Sequence, residues 1–343
     1  MKMNADEKHV IELVESDKKL SDKVKTISQE SLKVLKGALT KFAINHEQGG
    51  IIPSRVLSEI PSKKDKAIIE ELIQVAEFES GSESEMMVQG AANTWKSNNA
   101  AFIMAVVTIV IADLLSKTSD EQDNTDTEQR RALVHHMFGK EGYLHGKMTE
   151  DEALKQIQPA NEFVTEDGKM LDSANYQYAT WLIGGIYGHV VSTIKQNPTS
   201  SQFHSEMGVD DVQGAIVSDG DALDAKKRHA SDGITGFVDL YNMKTMMLFR
   251  TVSAQAHSEG TRSIGTILRF KYAIIINEYG ACKLCQQYLD RVMTVEAACD
   301  MIPQHYCCRC QVKIMYRHTL TDDEDVDDDD LIDNEDDDEE DDY

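Results

Sequence analysis

Cysteine is missing from the first 281 positions, and proline occurs only five times in 343 residues. A disulfide-stapled secreted scaffold spreads its cysteines over the whole fold, so the void argues against that class. With so little proline and abundant Met, Ala, Glu, Lys and Gln, long helices can run without breaks. A mainly α chain is expected. No apolar signal-peptide core follows Met1–Asn4, where a charged amphipathic pattern begins at once. A reducing cytoplasm is therefore the expected compartment, and there clustered cysteines bind metal more often than they pair.

Long hydrophobic runs are also lacking. The strongest, Ala100–Leu115, is interrupted by Asp113, and its charge-free part is only 13 residues. A spanning helix needs roughly 20, so a buried core helix is the reading and membrane attachment is not expected. No P-loop, HExxH, Ser-His-Asp signature or paired-carboxylate motif is present.

Basic residues are absent from Thr321–Tyr343, which holds seventeen Asp and Glu. The formal net charge is −25, so the other 320 residues carry only −8. A mildly acidic body excludes sequence-independent DNA binding over the whole surface and leaves only local basic patches. The terminal segment has too few apolar groups to fold alone. It reads as a disordered acidic tail over residues 319–343, either solubilising the chain or engaging a basic partner.

What is present divides the rest. Residues 1–116 form a helical region: Leu13, Val24, Ile27, Leu32, Leu35 and Leu39 recur at helical spacing, Gly49–Gly50 and Pro53 break the pattern, and Ser62 stands as an N-cap before Ile68, Ile69, Leu72, Ile73 and Val75. Ser80–Glu85 reads as a polar loop before a helix that carries Met86–Val88 and the apolar run. Residues 117–129 (KTSDEQDNTDTEQ) lack apolar periodicity and read as an exposed linker. A second helical region covers 130–208. It contains His135, His136 and His145, at no ligand spacing, and the Gly184–Gly185 pair, which suggests close helix packing or a kink. Asp219–Ala230 imitates a calcium loop but has Asp224 at the sixth place and Ala230 at the twelfth, so that reading fails. Phe237–Phe270 reads as a long helix with a break at Gly260, followed by candidate strands Tyr272–Asn277 and Gln311–Arg317. A small α+β, cysteine-rich module over 209–318 is thus expected.

All six cysteines lie between Cys282 and Cys310. Cys282-x-x-Cys285 can aim two thiolates at one ion from a tight turn, and after nineteen intervening residues comes His305-x-x-Cys308-x-Cys310. A closed tetrahedral zinc site takes four ligands, commonly two local pairs. Cys307 and Cys308 are sequential and diverge, and Cys299 has no partner at short spacing. The preferred set is Cys282, Cys285, His305 and Cys308, with Cys310 as the substitute for His305. Structural zinc would fold such a poorly cored segment; free buried thiols and disulfides are the alternatives.

The order Arg250-Thr251, a strand, Cys282-x-x-Cys285, Leu289-Asp290, then Pro303-x-His305-x-x-Cys308-Arg309-Cys310 and a final strand resembles the phage Mu F-like minor head protein family, also called phage head morphogenesis. Val252 stands where that family has Glu, and Arg291 where it has Gly. The resemblance covers about residues 210–317. It implies a low-copy structural protein of the virion head, made in the host cytoplasm, that contacts the portal protein and the major capsid or scaffolding protein. It further implies a role in head assembly or DNA delivery, with packaged DNA as a partner of the C-terminal module, and neither turnover chemistry nor a small-molecule substrate. Two other classes compete: a phage-borne effector with activity in the N-terminal region, and a zinc-ribbon nucleic-acid adaptor using Lys283, Arg291, Arg309, Lys313 and Arg317.

Overall fold

The computed structural model describes residues 5–78, 80–138, 149, 152, 171–207, 233–276, 283–289, 291–303, 308 and 310–315. The tail, the calcium-like stretch and the expected boundary at 208/209 lie outside them, as does His145. The chain is mainly helical, with a small three-stranded sheet in its C-terminal part. It divides into two compact units: Met1–Gln129 with Val164–Arg250, and Arg130–Phe163 with Thr251–Tyr343.

The first unit is a helical assembly. Helix α1 (Ala5–His46) is one unbroken element that buries Leu20, Val24, Leu32, Leu35 and Leu39. A 3-10 turn (Ser54–Ser58) leads to α2 (Lys63–Val75), where Ser62 caps the helix as its sequence suggests. The Ser62 hydroxyl accepts from the Asp65 amide, and the Asp65 carboxylate accepts from the Ser62 amide, a reciprocal capping box. Asp65 also accepts from Asn45 and bonds His46 at 2.9 Å, tying the end of α1 to the start of α2. Burial pushes the Asp65 carboxyl up, but the bonds from His46, Ser62 and Asn45 outweigh it and bring its pKa down to about 2. Val75, expected on the apolar face of α2, is instead 58% exposed.

Helix α3 (Glu83–Thr94) ends before α4 (Asn99–Phe138) begins, so the expected single helix through Met86 and the apolar run is two. Helix α4 is long and apolar enough to cross a membrane, yet 72% of its most apolar window is buried inside the protein. Phe102, Ile103, Val106 and Val107 are fully enclosed, and Phe102 stacks on Phe42 at 5.4 Å.

The expected linker at 117–129 is corrected by the structure: these residues continue α4 without a break. Thr118, Gln122, Thr125, Asp126 and Gln129 recur at helical spacing and are all buried. They form a polar stripe with fixed partners on three other helices: α1, α5 (Leu171–Lys195) and the N-terminal half of α7 (Gly233–Leu268). Gln122 donates to the Thr245 carbonyl at 3.3 Å and accepts from Asn175 at 3.2 Å, while Gln129 donates to Asp17 at 2.9 Å. A buried polar group is tolerated where it is hydrogen-bonded, so a hydrophilic segment becomes a core helix face. Helix α6 (Ser200–Glu206) follows α5 and a turn at Pro198, and carries its own capping box at Thr199. Gly185 lies against Phe237, where an added Cβ would come within 2.5 Å of the ring, whereas Gly184 meets nothing. Close packing therefore explains one glycine of the pair.

Helix α7 shows no break at Gly260. Its residues from Thr251 onward belong to the second unit, together with β1 (Tyr272–Ile276), α8 (Lys283–Gln286), β2 (Val292–Thr294), α9 (Val295–Asp300) and β3 (Gln311–Ile314). The sheet order is β2-β1-β3, with both neighbours antiparallel to β1. Ala273 and Ile275 face inward and share a core with Val295, Ala298, Cys299 and Ile302, and Ile314, opposite Ala273, is buried too.

Candidate metal centre

The sheet brings the cysteine turns together. Strand β1 alternates buried and half-buried residues, so its inner face is short and apolar. At its C-terminal end it holds two other segments. Gln311, the first residue of β3, pairs with Ile276, which places Cys310 and Cys308 beside that end. Leu289 bridges Ile275 in parallel, and the Tyr288 amide donates to the Cys285 carbonyl at 3.0 Å, which brings in the turn carrying Cys285. Two segments far apart along the chain thus anchor to neighbouring residues of one strand.

Cys285, Cys308 and Cys310 meet there. Their sulfurs all lie within 4.8 Å of one another, and each residue is no more than 2% exposed. Cys285 Sγ and Cys308 Sγ are 3.9 Å apart. Two thiolates on a tetrahedral zinc ion, each about 2.3 Å from it, stand about 3.8 Å apart. A disulfide needs about 2.05 Å, and none of Cys285, Cys299, Cys308 and Cys310 is in one. The trio has the identity, spacing and burial to hold a metal ion.

Hydrogen bonding to Cys308, burial and the charge of Cys308, followed by the hydrogen bond and charge of Cys285, hold the Cys310 thiol well above the usual thiol range. Three buried thiols this close cannot all ionise unless positive charge is supplied. A divalent ion held by Cys285, Cys308 and Cys310 would supply it and take the place of the protons.

Of the sequence-predicted ligands, Cys285 and Cys308 come together, and Cys310 joins them as the expected substitute does. Cys282 and His305 lie outside the described residues, as do Cys307 and Arg309. Cys299 is not in the group. It is 2% exposed among Ala298, Val295 and Ile302, and burial pushes its thiol up to about 11. It packs as a small buried hydrophobe.

Sequence reasoning missed how α9 is held beneath the site. Ser258 Oγ donates to the Cys299 carbonyl at 2.8 Å, and Arg262 binds Asp300 at 2.5 Å. Gly265 admits Val295 so closely that an added Cβ would meet its Cγ1 at 2.8 Å. These partners are separated by about 30 to 40 positions, and no local pattern announces them. No family model, curated protein or solved structure matches the chain.

Proposed function

We propose that this chain is a minor structural protein of a bacteriophage head, bound near the portal, in which the cysteine cluster is a structural zinc knuckle. The observation that carries this reading is the Cys-x-x-Cys and Pro-x-His-x-x-Cys-Arg-Cys pattern from Cys282 to Cys310, which resembles that of the head-morphogenesis family at several fixed offsets. The convergence of Cys285, Cys308 and Cys310 supports it, since the pattern needs its two halves to meet. Zinc suits a thiolate-rich donor set, and Cys282 and His305, each three positions before a described cysteine, are the nearest further ligands in sequence.

When bound, zinc supplies folding energy to a segment with a small apolar core. The chain's own residues supply the placement: β1 fixes the two turns, and Ser258 and Arg262 hold α9 below them. The partners on this reading are the portal protein and the major capsid or scaffolding protein, with packaged DNA met through the C-terminal module. The work done is assembly, without turnover.

Mass spectrometry of purified particles tests this. The chain should be present at a few copies per head, and deleting its gene should yield defective heads. Its absence from particles that assemble and infect normally contradicts the proposal.

A further inference from the structure

Charge is distributed against expectation in the C-terminal third. Thr251–Leu320 holds eight Lys and Arg against five Asp and Glu, while the chain as a whole carries −25. A net-basic stretch therefore lies directly before the seventeen acidic residues.

The three-stranded sheet has a second face, turned away from α9. Tyr272, Ile274 and Ile276 of β1 lie on it, with Val292 and Thr294 of β2 and Gln311 and Lys313 of β3 beside them in register, and all are half-buried. None of the three strands contains Asp or Glu. Lys271, just before β1, is exposed and its ammonium stands 5.7 Å over the Tyr272 ring, and Lys313 lies on the face itself, opposite Ile274.

The chain leaves the sheet at this place. The Met315 amide donates to the Tyr272 carbonyl at 2.9 Å, beside Lys271. Asp322, the first acidic residue, is seven positions further on. At no more than about 3.6 Å per residue that is a reach of roughly 25 Å. A tether this short gives the tail a local concentration on the order of millimolar.

We propose that this sheet face is a docking surface for the chain's own acidic segment, Asp322–Asp342. The tail's carboxylates bind Lys271 and Lys313, and the apolar centre is covered by Leu331 and Ile332, the adjacent pair of apolar residues in the segment. The proposal is independent of the head-protein reading, since it uses neither the cysteines nor a partner.

Zero-length carbodiimide cross-linking of the full chain, read by mass spectrometry, is the test. Lys271 and Lys313 should form amides with tail carboxylates, and mixed light and heavy protein should show them within one copy. The yield should fall at least about 5-fold in 1 M salt, where screening shortens to about 3 Å. A full-length variant with the seventeen tail carboxylates replaced by amides reports independently: hydrogen exchange of β1 and β3 should be faster in it than in the parent at low salt, and equal at high salt. No tail cross-links at these lysines, cross-links only between copies, or identical exchange at low salt would each overturn the proposal.

Discussion

Cys285 and Cys308 are 23 positions apart in the chain, yet their sulfurs lie 3.9 Å apart, buried beside the end of β1. That spacing is too long for a disulfide and close to the edge of a tetrahedral metal site. It separates the cysteines into two kinds with different expected behaviour.

On the proposed zinc reading Cys308→Ser removes a ligand, whereas Cys299→Ser only places a hydroxyl in a core. Cys308→Ser should weaken metal retention by more than the roughly 10–100-fold that disturbing an outer-shell partner costs. Cys299→Ser should leave metal content unchanged and cost about 1–3 kcal/mol of stability through its buried hydroxyl. Competition with a chelator, alongside thermal unfolding, distinguishes the two. Equal metal contents in both variants would contradict the assignment.

The 117–129 segment yields a backbone test. Asn124 is exposed, so its side chain matters little, but it sits inside α4. Asn124→Pro should cost about 3 kcal/mol or more, since it removes a helical hydrogen bond and clashes with the preceding turn. In a loop the same change would be nearly neutral. Urea denaturation measures the difference.

The two central glycines of α5 should respond in opposite ways. Gly185→Ala drives a methyl towards Phe237, from 2.5 Å, and should destabilise by about 1–3 kcal/mol. Gly184→Ala meets nothing and should stabilise by up to about 1 kcal/mol through helix propensity. Matched melting curves check the sign of each.

Acid should weaken the junction of α1 and α2 through Asp65. Its carboxyl falls from 3.8 to about 2 on folding, so the folded state favours the charged form. The stabilisation, about 2 kcal/mol, is present above pH 4 and is lost as the pH drops from about 4 to 2. Asp65→Asn should lower stability at neutral pH and flatten this part of the pH profile. An unchanged acid limb in denaturation measured from pH 5 to 2 would contradict it.

Local chemistry made much of this fold readable. Ser62 with Asp65 three positions on marks a helix start because both halves of the capping box are adjacent in sequence, and the apolar period of α1 and α2 follows from one-sided burial. The cysteine offsets pointed to Cys285 and Cys308 because ligand pairs are local even when the pairs are distant. Other features had no local signal. The α4 stripe from Thr118 to Gln129 is helical in period but polar, and its burial depends on Thr245, Asn175 and Asp17, supplied by other helices. Val292–Thr294 is too short to show alternation and becomes a strand only by pairing with β1. Gly260 reads as a breaker in isolation, but α7 continues through it.

The most direct measurement is zinc K-edge X-ray absorption on the purified full chain, with metal content by mass spectrometry. The account predicts one zinc per chain with at least three sulfur ligands at about 2.3 Å. It further predicts that Cys285→Ala removes the sulfur shell. A metal-free chain, with Cys285, Cys308 and Cys310 all alkylated rapidly under native conditions, would contradict it.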